Sequence, residues 1–192
     1  YFYSYALSVN MGKNIKIFYQ SGKGYGNSLK EAIENCRSKY FCIFNADGSF
    51  EQNDLPKMYT EIQNYDFVYT TRYEKPGGSD DDTILTFFGN KFFSLMGNLF
   101  FSLKISDILY TFLMGKTDSF KKLNIKSNDF RFCVEFPLKM ELAKMKYKTI
   151  HSYEKKRIGG KKKVNEFKDG LLILTEMIKL FFEHKVFKKK IV

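Results

Sequence analysis

Short apolar runs recur along the first half of the chain at positions where strands are expected. Residues 14–20 alternate apolar and polar side chains, a period that predicts a strand. Residues 40–44 form a short apolar run typical of a buried strand. Residues 65–71 form a third such run, which ends at Arg72. The hydrophobic pattern therefore predicts three strands before residue 73.

Two helices are predicted between these strands. Ser28 and Glu31 have the spacing of a capping box, so the first helix is expected over residues 28–37. The second is predicted to begin at a cap at residue 53 or 54, with Pro56 in its first turn. Strands that alternate with helices imply parallel crossovers, hence an open, mainly parallel α/β sheet flanked by helices. Ligands bind such sheets beyond the carboxyl ends of the strands.

The second half is predicted to be mostly helical, with one strand and a basic end. The apolar stripe in its first helix fits either core packing or an interfacial helix on a membrane, and both interpretations stay open. The acidic run at residues 80–82 is interpreted as a mobile, solvated loop. The predicted segments are loop 73–82, helix 85–103, helix 132–145 interrupted near Pro137, strand 146–153, basic loop 155–163, helix 166–183 and basic tail 185–192.

Composition narrows the class of protein. The 192 residues suit one domain, and the net charge of +11 indicates an anionic partner or, equally, a codon bias toward lysine and asparagine. The three cysteines have no paired spacing, which excludes a disulfide framework or zinc site and fits a reducing cytosol. No signal peptide is recognisable, and no stretch offers the roughly 20 apolar residues of a spanning helix.

Two strand-end or turn motifs could carry chemistry. Asp47 follows the second strand, where a carboxylate could ligate a divalent metal that neutralises a leaving diphosphate. Spacing alone favours an ordinary Asp-Gly turn. Gly22, Lys23 and Gly24 form a turn before a helix, which could bind phosphate. The turn is neither a Walker A loop nor a complete GxGxxG motif, so a plain turn remains open. Further phosphate-binding candidates are Arg72, Arg131, Arg157 and Lys161 to Lys163.

Five segments in order resemble the motifs of family-2 glycosyltransferases. Among these enzymes the chain is most similar to those that glycosylate dolichol and polyprenyl phosphates. The resemblance covers about residues 19–174. The segments are GKGYGNSLKEAI, FCIFNADGSF, DFVYTTRY, ISDILYTFLMGKTDSF and RIGGKKKVNEFKDG.

The resemblance implies the glycosyltransferase A fold, which is Rossmann-like, and a set of site residues. Asp47 matches the second carboxylate of the family's Asp-x-Asp metal motif, for Mg²⁺ or Mn²⁺, and Asn45 replaces the first. Asp107 matches an acidic position near the acceptor and becomes the candidate base. The other implied positions are Arg157, Lys161 and Lys163 on the donor phosphates, Arg72 and Arg131 on the acceptor or phosphate, Glu135 in an orienting or structural role, and Gly22, Lys23 and Gly24 beside the nucleotide.

The implied function is inverting transfer of a sugar from a nucleotide sugar to a polyprenyl phosphate or glycan. The protein is then expected in the cytoplasm, peripheral on the inner face of the cell membrane, without nucleic acid as a partner. The family's first two strands find no match before Tyr19, so the single domain over residues 1–192 is expected to be incomplete at its N-terminus. Segment 166–192 is expected to contact the membrane. A non-catalytic membrane scaffold and a nucleic-acid-binding module remain as alternatives.

Overall fold

A computed structural model describes residues 17–160 and 164–190. Within these ranges, helices and short strands alternate up to residue 154, and a long helix follows. The elements are α1 (Tyr25–Glu34), β1 (Tyr40–Ile43), a 3₁₀ turn (Gln52–Asp54), α2 (Leu55–Glu61), β2 (Phe67–Thr71), β3 (Gly78–Ser79), α3 (Ile84–Phe101), β4 (Leu113–Lys116), α4 (Thr117–Lys122), α5 (Phe132–Leu142), β5 (Tyr147–His151), β6 (Tyr153–Glu154), α6 (Glu166–Leu180) and a π-helical turn (Phe181–Val186).

Four strands form the main sheet in the order β1-β4-β2-β5. Strand β4 is antiparallel to both of its neighbours, and β2 is parallel to β5. Strands β1, β2 and β5 therefore run in one direction and β4 in the other. The predicted α/β sheet flanked by helices is confirmed, and the sheet is mixed, since two of its three strand pairings are antiparallel. The short strands β3 and β6 pair in parallel as a second sheet.

The core lies on both faces of the sheet. All five residues of β2 are buried, as expected for a strand covered on both sides. Phe67 and Tyr69 pack among residues of α1, α3, α5 and α6, whereas Val68 packs with Met58 and Ile62 of the α2 region. This alternation puts α2 on one face and most of the helical layer on the other.

Strand β4 was not predicted, because its four residues show no alternation. It lies between β1 and β2 and needs a glycine at its centre. A Cβ on Gly115 would lie 2.7 Å from ring atoms of both Phe41 and Phe67. The aromatic rings of the neighbouring strands therefore occupy the space of that side chain.

The start of α1 corrects the predicted capping box. The helix begins at Tyr25, so Ser28 lies inside it and its hydroxyl donates to the Tyr25 carbonyl at 2.7 Å. The Glu31 carboxylate instead accepts from the backbone N–H and hydroxyl of Ser21. The Asn128 carbonyl accepts from the Asn27 N–H at 2.9 Å, so a distant loop caps this helix.

The other predicted elements differ in outcome. Residues 17–20 form no strand, and residues 14–16 lie outside the described ranges. Helix α5 continues through Pro137 without the predicted interruption. Pro56 does lie in the first turn of α2. None of the helices in residues 17–160 and 164–190 combines the length and hydropathy needed to cross a bilayer.

Candidate active site

Asp47 lies in the loop that follows the carboxyl end of β1. Its Oδ1 accepts hydrogen bonds from the Ser49 backbone N–H at 3.1 Å and from the Ser49 hydroxyl at 2.8 Å. Between them, Gly48 has φ +80°, and a Cβ there would lie 2.7 Å from Ile158. The loop is therefore fixed by its own hydrogen bonds and is covered by the segment that contains Ile158.

The segment 155–158 lies over the Asp47 loop through backbone hydrogen bonds. The Lys155 N–H donates to the Ser49 carbonyl and the Ile158 N–H donates to the Asp47 carbonyl, each at 2.8 Å. Arg157 lies between these two anchors, and its Nη1 is 4.0 Å from Asp47 Oδ2. The predicted metal-ligand residue and the predicted phosphate-binding arginine are therefore neighbours, although 110 positions of sequence separate them.

Arg157 also pairs with Asp81 of the acidic run. Its Nε and Nη2 both donate to Asp81 Oδ2, at 3.0 and 2.6 Å. These hydrogen bonds raise the pKa of the Arg157 guanidinium, and the opposing effect of its burial is smaller. Both side chains are partly exposed, at 28% and 16%.

Arg72 occupies the carboxyl end of β2 and is almost fully enclosed by acidic groups. Its Nε and Nη2 donate to the two oxygens of Asp107 at 2.8 and 2.9 Å, and its Nη1 donates to Glu154 Oε2 at 2.7 Å. The ring of Tyr110 lies 4.4 Å from its guanidinium carbon. Burial alone would lower the pKa of Arg72, but the hydrogen bonds and charge of Asp107 outweigh it and raise the pKa.

Asp107 is completely buried, and both of its oxygens accept hydrogen bonds. The Arg72 backbone N–H donates to Asp107 Oδ2, in addition to the Arg72 guanidinium. The Asn90 side-chain amide donates to Asp107 Oδ1. A carboxylate held in this way orients Arg72. The hypothesis that Asp107 is a catalytic base stays a prediction, and in this arrangement Asp107 is a positioning residue.

The acidic run at residues 80–82 is not the solvated loop that its sequence indicates. Tyr153 donates its hydroxyl hydrogen to Asp80 at 2.6 Å, and Tyr73 donates to Asp82 at 2.5 Å. Asp82 also lies 4.0 Å from Arg72 Nη1. The β3–β6 pairing brings this run beside residue 154, a contact that no local sequence pattern signals.

The described part of the cluster carries more negative than positive charge. Two guanidinium groups face five carboxylates. A diphosphate bound here would therefore need further cations close by. The predicted Lys161 and Lys163 lie outside the described residues. The two guanidinium groups of this cluster belong to Arg72 and Arg157, and its five carboxylates belong to Asp47, Asp81, Asp82, Asp107 and Glu154.

A cleft of about 430 Å³ opens beside Arg72. Its lining combines polar residues such as Arg72 and Ser79 with the apolar residues Ile84, Phe87 and Phe88 at the start of α3. The cleft therefore joins the charged cluster to the first turns of a helix whose outer face is apolar.

A divalent metal is the cofactor that the family resemblance implies. Asp47 and Asn45 supply hard oxygen atoms of the type that Mg²⁺ and Mn²⁺ bind. Within residues 17–160 and 164–190, however, no group of three or more His, Cys, Asp or Glu side chains could hold a metal ion. The two residues fit a cation that is bound jointly with substrate phosphates, since Mg²⁺ commonly takes one or two protein ligands in this way.

Two other predicted residues, Arg131 and Glu135, are held by partners that do not belong to this cluster. Arg131 pairs with Asp129 at 2.9 Å and lies 4.0 Å from Glu176 of α6. The carboxylate of Glu135 accepts from the backbone N–H groups of Lys126 and Ser127, at 2.9 and 2.7 Å. Of the two roles open for Glu135, these contacts support the structural one.

The Gly22–Gly24 turn packs against protein. A Cβ on Gly24, at φ +114°, would lie 2.1 Å from the Asn128 carbonyl oxygen. Because that same carbonyl also caps α1 through Asn27, close packing of the loop explains the glycine. The hypothesis that Gly22, Lys23 and Gly24 face a nucleotide stays a prediction.

Sequence reasoning missed four residues of the cluster: Asp81, Asp82, Glu154 and Asn90. Each lies beside a predicted arginine or carboxylate that is at least 10 positions away in the chain. The only available signal was the proximity of Glu154 to the basic motif that contains Arg157.

Comparison with known proteins supplies the family. No curated protein matches the chain. The model of the family described as Glycosyl transferase family 2 matches residues 4–124, a segment that includes Asp47, Arg72 and Asp107. The match covers more than half of the 192 residues and agrees with the mixed α/β sheet and its strand-end site, and the chain therefore belongs to glycosyl transferase family 2.

Proposed function

We propose that this protein is an inverting glycosyltransferase that moves a sugar from a nucleotide-sugar donor to a lipid phosphate or glycan, in the synthesis of cell-envelope polysaccharide or glycolipid. The main observation behind the proposal is that Arg157 Nη1 lies 4.0 Å from Asp47 Oδ2, beyond the carboxyl end of β1. Ligands bind there on open α/β sheets, and the family is one of glycosyltransferases.

The donor's diphosphate is proposed to bind between the Asp47 loop and the 155–158 segment. In the reaction, an acceptor oxygen attacks the anomeric carbon while the bond from that carbon to the diphosphate breaks. The nucleoside diphosphate leaves with the bonding electron pair. Arg157 stabilises the charge that grows on the leaving group, because it is already aimed at the Asp47 loop. When bound, Mg²⁺ or Mn²⁺ held by Asp47 and Asn45 would supply further positive charge there.

A lipid phosphate is the acceptor favoured by the surroundings of Asp107. A hydroxyl acceptor needs a base to take its proton, whereas a phosphate oxygen is already anionic near neutral pH. Asp107 is buried and hydrogen-bonded on both oxygens, which suits the positioning of Arg72 better than proton abstraction. The mixed polar and apolar lining of the neighbouring cleft suits an acceptor with a charged head and a hydrocarbon chain.

An anionic membrane surface is the proposed partner of α3 and α6. The outer face of α3 is almost wholly apolar, since eight large apolar side chains in it are exposed. On α6 and the following turn, exposed apolar residues alternate with lysines. The two helices touch through Phe100 and Phe181, whose ring centroids lie 5.5 Å apart. The exposed residues are Ile84, Leu85, Phe87, Phe88, Phe92, Leu95, Leu99 and Phe100 on α3, and Phe167, Leu171, Ile178, Phe182, Val186 and Phe187 on the second surface.

This surface supports an interfacial location. A contiguous apolar face larger than a few hundred Å² marks an interaction site on a soluble domain. Apolar residues beside lysines are typical of helices that lie in the headgroup region of anionic bilayers. The proposed location is therefore the inner face of the cell membrane, on the cytoplasmic side.

The function is tested by transfer assays with labelled nucleotide sugars and vesicles that contain polyprenyl phosphate. The Asp47→Asn variant should lose at least about 100-fold in rate, because it removes the charge on which the leaving-group site is built. Asp118→Asn, an exposed change on α4, is the matched control and should keep the wild-type rate. An unchanged rate in Asp47→Asn would remove Asp47 from the mechanism. Absence of transfer from every donor would contradict the proposed reaction, and vesicle binding without transfer would favour a scaffold.

A further inference from the structure

Asp81 contacts the same edge of Arg157 that a diphosphate would take. Two N–H groups of Arg157 converge on Asp81 Oδ2, at 3.0 and 2.6 Å. The third nitrogen, Nη1, faces Asp47 from 4.0 Å. The guanidinium is thus shared between a carboxylate of the acidic run and the loop that is proposed to bind the donor.

The backbone fixes this contact. Strands β3 and β6 pair so that Ser79 lies opposite Glu154, and the Asp80 N–H donates to the Glu154 carbonyl at 2.8 Å. The residues that follow on each segment therefore run side by side, with Asp81 facing Arg157. Backbone pairing of the two segments therefore positions the Asp81 and Arg157 side chains next to each other.

A carboxylate and a phosphate are chemical alternatives for this edge. Both present paired oxygens that accept two parallel hydrogen bonds from a guanidinium. Among residues 17–160 and 164–190, two arginines face five carboxylates in the cluster, so an incoming diphosphate meets repulsion from these groups as well as competition. Removing the charge of Asp81 reduces both.

We propose that Asp81 is an internal competitor of the donor's diphosphate for Arg157 and is displaced from the guanidinium when the donor binds. This proposal rests on the proposed function and adds that Asp81 lowers the affinity of the site for the donor. Asp82, the next residue, lines the cleft beside Arg72. Displacement of Asp81 therefore links donor binding to the wall of the cleft that is assigned to the acceptor.

The test measures binding of UDP and of GDP to the full chain by calorimetry, with excess Mg²⁺. Asp81→Asn keeps the shape of the side chain and removes its charge. It should tighten binding about threefold to fivefold, the range expected for loss of one partly exposed competing ion pair. Asp80→Asn removes the same charge one residue earlier, where the carboxylate contacts Tyr153, and should change the affinity less than about twofold.

A double-mutant cycle separates competition from a general charge effect. Arg157→Ala should weaken binding about tenfold or more, and the gain from Asp81→Asn should be clearly smaller in that background, where only the general charge effect remains. A structural disturbance lowers affinity, so tighter binding is not what damage to the loop would produce. Equal or weaker binding in Asp81→Asn, or an equal gain in Asp80→Asn, overturns the competition.

The outcome also distinguishes this inference from the function beneath it. If wild type binds a nucleoside diphosphate and Arg157→Ala binds less, but Asp81→Asn matches wild type, the donor site stands and the role of Asp81 is wrong. If neither wild type nor Asp81→Asn binds UDP or GDP, the donor site itself is contradicted.

Discussion

At the scale of single residues, Arg72 shows how a predicted ligand can become part of the framework. Its guanidinium donates to two carboxylates and stacks beside Tyr110, with only 9% of its side chain exposed. A group so fully engaged stabilises the strand end on which the cleft is built. If Arg72 binds the acceptor as predicted, it would do so from a fixed position, which lowers the entropy lost on binding.

Replacing Arg72 with methionine should destabilise the protein strongly. Asp107 would remain buried without its partner, and a broken buried ion pair costs about 3–5 kcal/mol. For a chain of this size, a melting temperature lower by about 6–20 °C is expected in a thermal unfolding scan. Arg37→Met, at an exposed position, should stay within about 0.5 kcal/mol of wild type. Equal melting temperatures for both variants would show that Asp107 does not depend on Arg72.

At the scale of elements, the sheet depends on a glycine in the strand that sequence reasoning missed. Gly115→Ala should destabilise the protein by about 1–3 kcal/mol, because the new Cβ would overlap the rings of Phe41 and Phe67. Gly89→Ala in α3 is the opposite case, since no atom lies within 4 Å of its added Cβ. That variant should gain about 0.5–1 kcal/mol through helix propensity. Chemical denaturation measures both, and equal effects would contradict the packing of β4.

Glu135 connects the loop 124–127 to α5, and its ionisation makes the stability of the folded protein depend on pH with a known sign. Burial alone would raise the pKa of Glu135, but hydrogen bonds from Lys139 and from the Ser127 and Lys126 backbone outweigh it and lower the pKa below its ordinary 4.5. Because the folded-state pKa is lower than the unfolded one, the stabilisation is full above that ordinary value. It is lost as the pH falls through the lowered folded pKa.

Glu135→Gln should therefore be less stable than wild type at neutral pH, by about 1–3 kcal/mol. The difference should shrink as the solution is acidified below pH 4.5, because wild-type Glu135 then becomes neutral as well. Melting temperatures measured from neutral to strongly acidic pH give this comparison. A difference that does not change with pH would contradict the assigned charge interaction.

The hydrophobic pattern was sufficient to predict some of the helices and strands. Strands β1 and β2, and helices α3 and α6, follow long or strongly apolar runs, and the predicted segments cover them except for Ile84 at the start of α3. The capping box at Ser28 was wrong because a distant loop caps α1 instead, through the Asn128 carbonyl. Likewise, Asp80 to Asp82 look solvated in sequence but pair with groups that the β3–β6 sheet brings to them.

At the scale of the whole molecule, the net charge and the apolar helix faces make a joint prediction. Vesicles with anionic phosphatidylglycerol should bind the chain, vesicles of neutral phosphatidylcholine should bind it less, and added salt should weaken the binding. Phe88→Ser with Leu95→Ser should lower vesicle affinity about tenfold or more, because two exposed apolar side chains of α3 are removed.

Tyr59→Ser is the control for this surface. Tyr59 is 58% exposed, comparable with 65% for Phe88, but it lies on α2 beyond the other face of the sheet. Its replacement should leave vesicle binding unchanged in a co-sedimentation assay. Equal losses in the two variants, or none in either, would contradict docking through α3.

The sequence by itself determined the α/β alternation, the described α-helices other than α4, and the two strand ends that carry Asp47 and Arg72. Hydrophobic periodicity and strand-end position are local properties, so a single chain displays them directly. Only the tertiary structure decided that β4 reverses between β1 and β2, that Asp107 is buried under Arg72, and that Asp81 reaches Arg157. The two side-chain contacts join residues that are 35 and 76 positions apart, and β2 and β4 are more than 40 positions apart. Such pairings follow from packing and charge in three dimensions, which no local sequence pattern records.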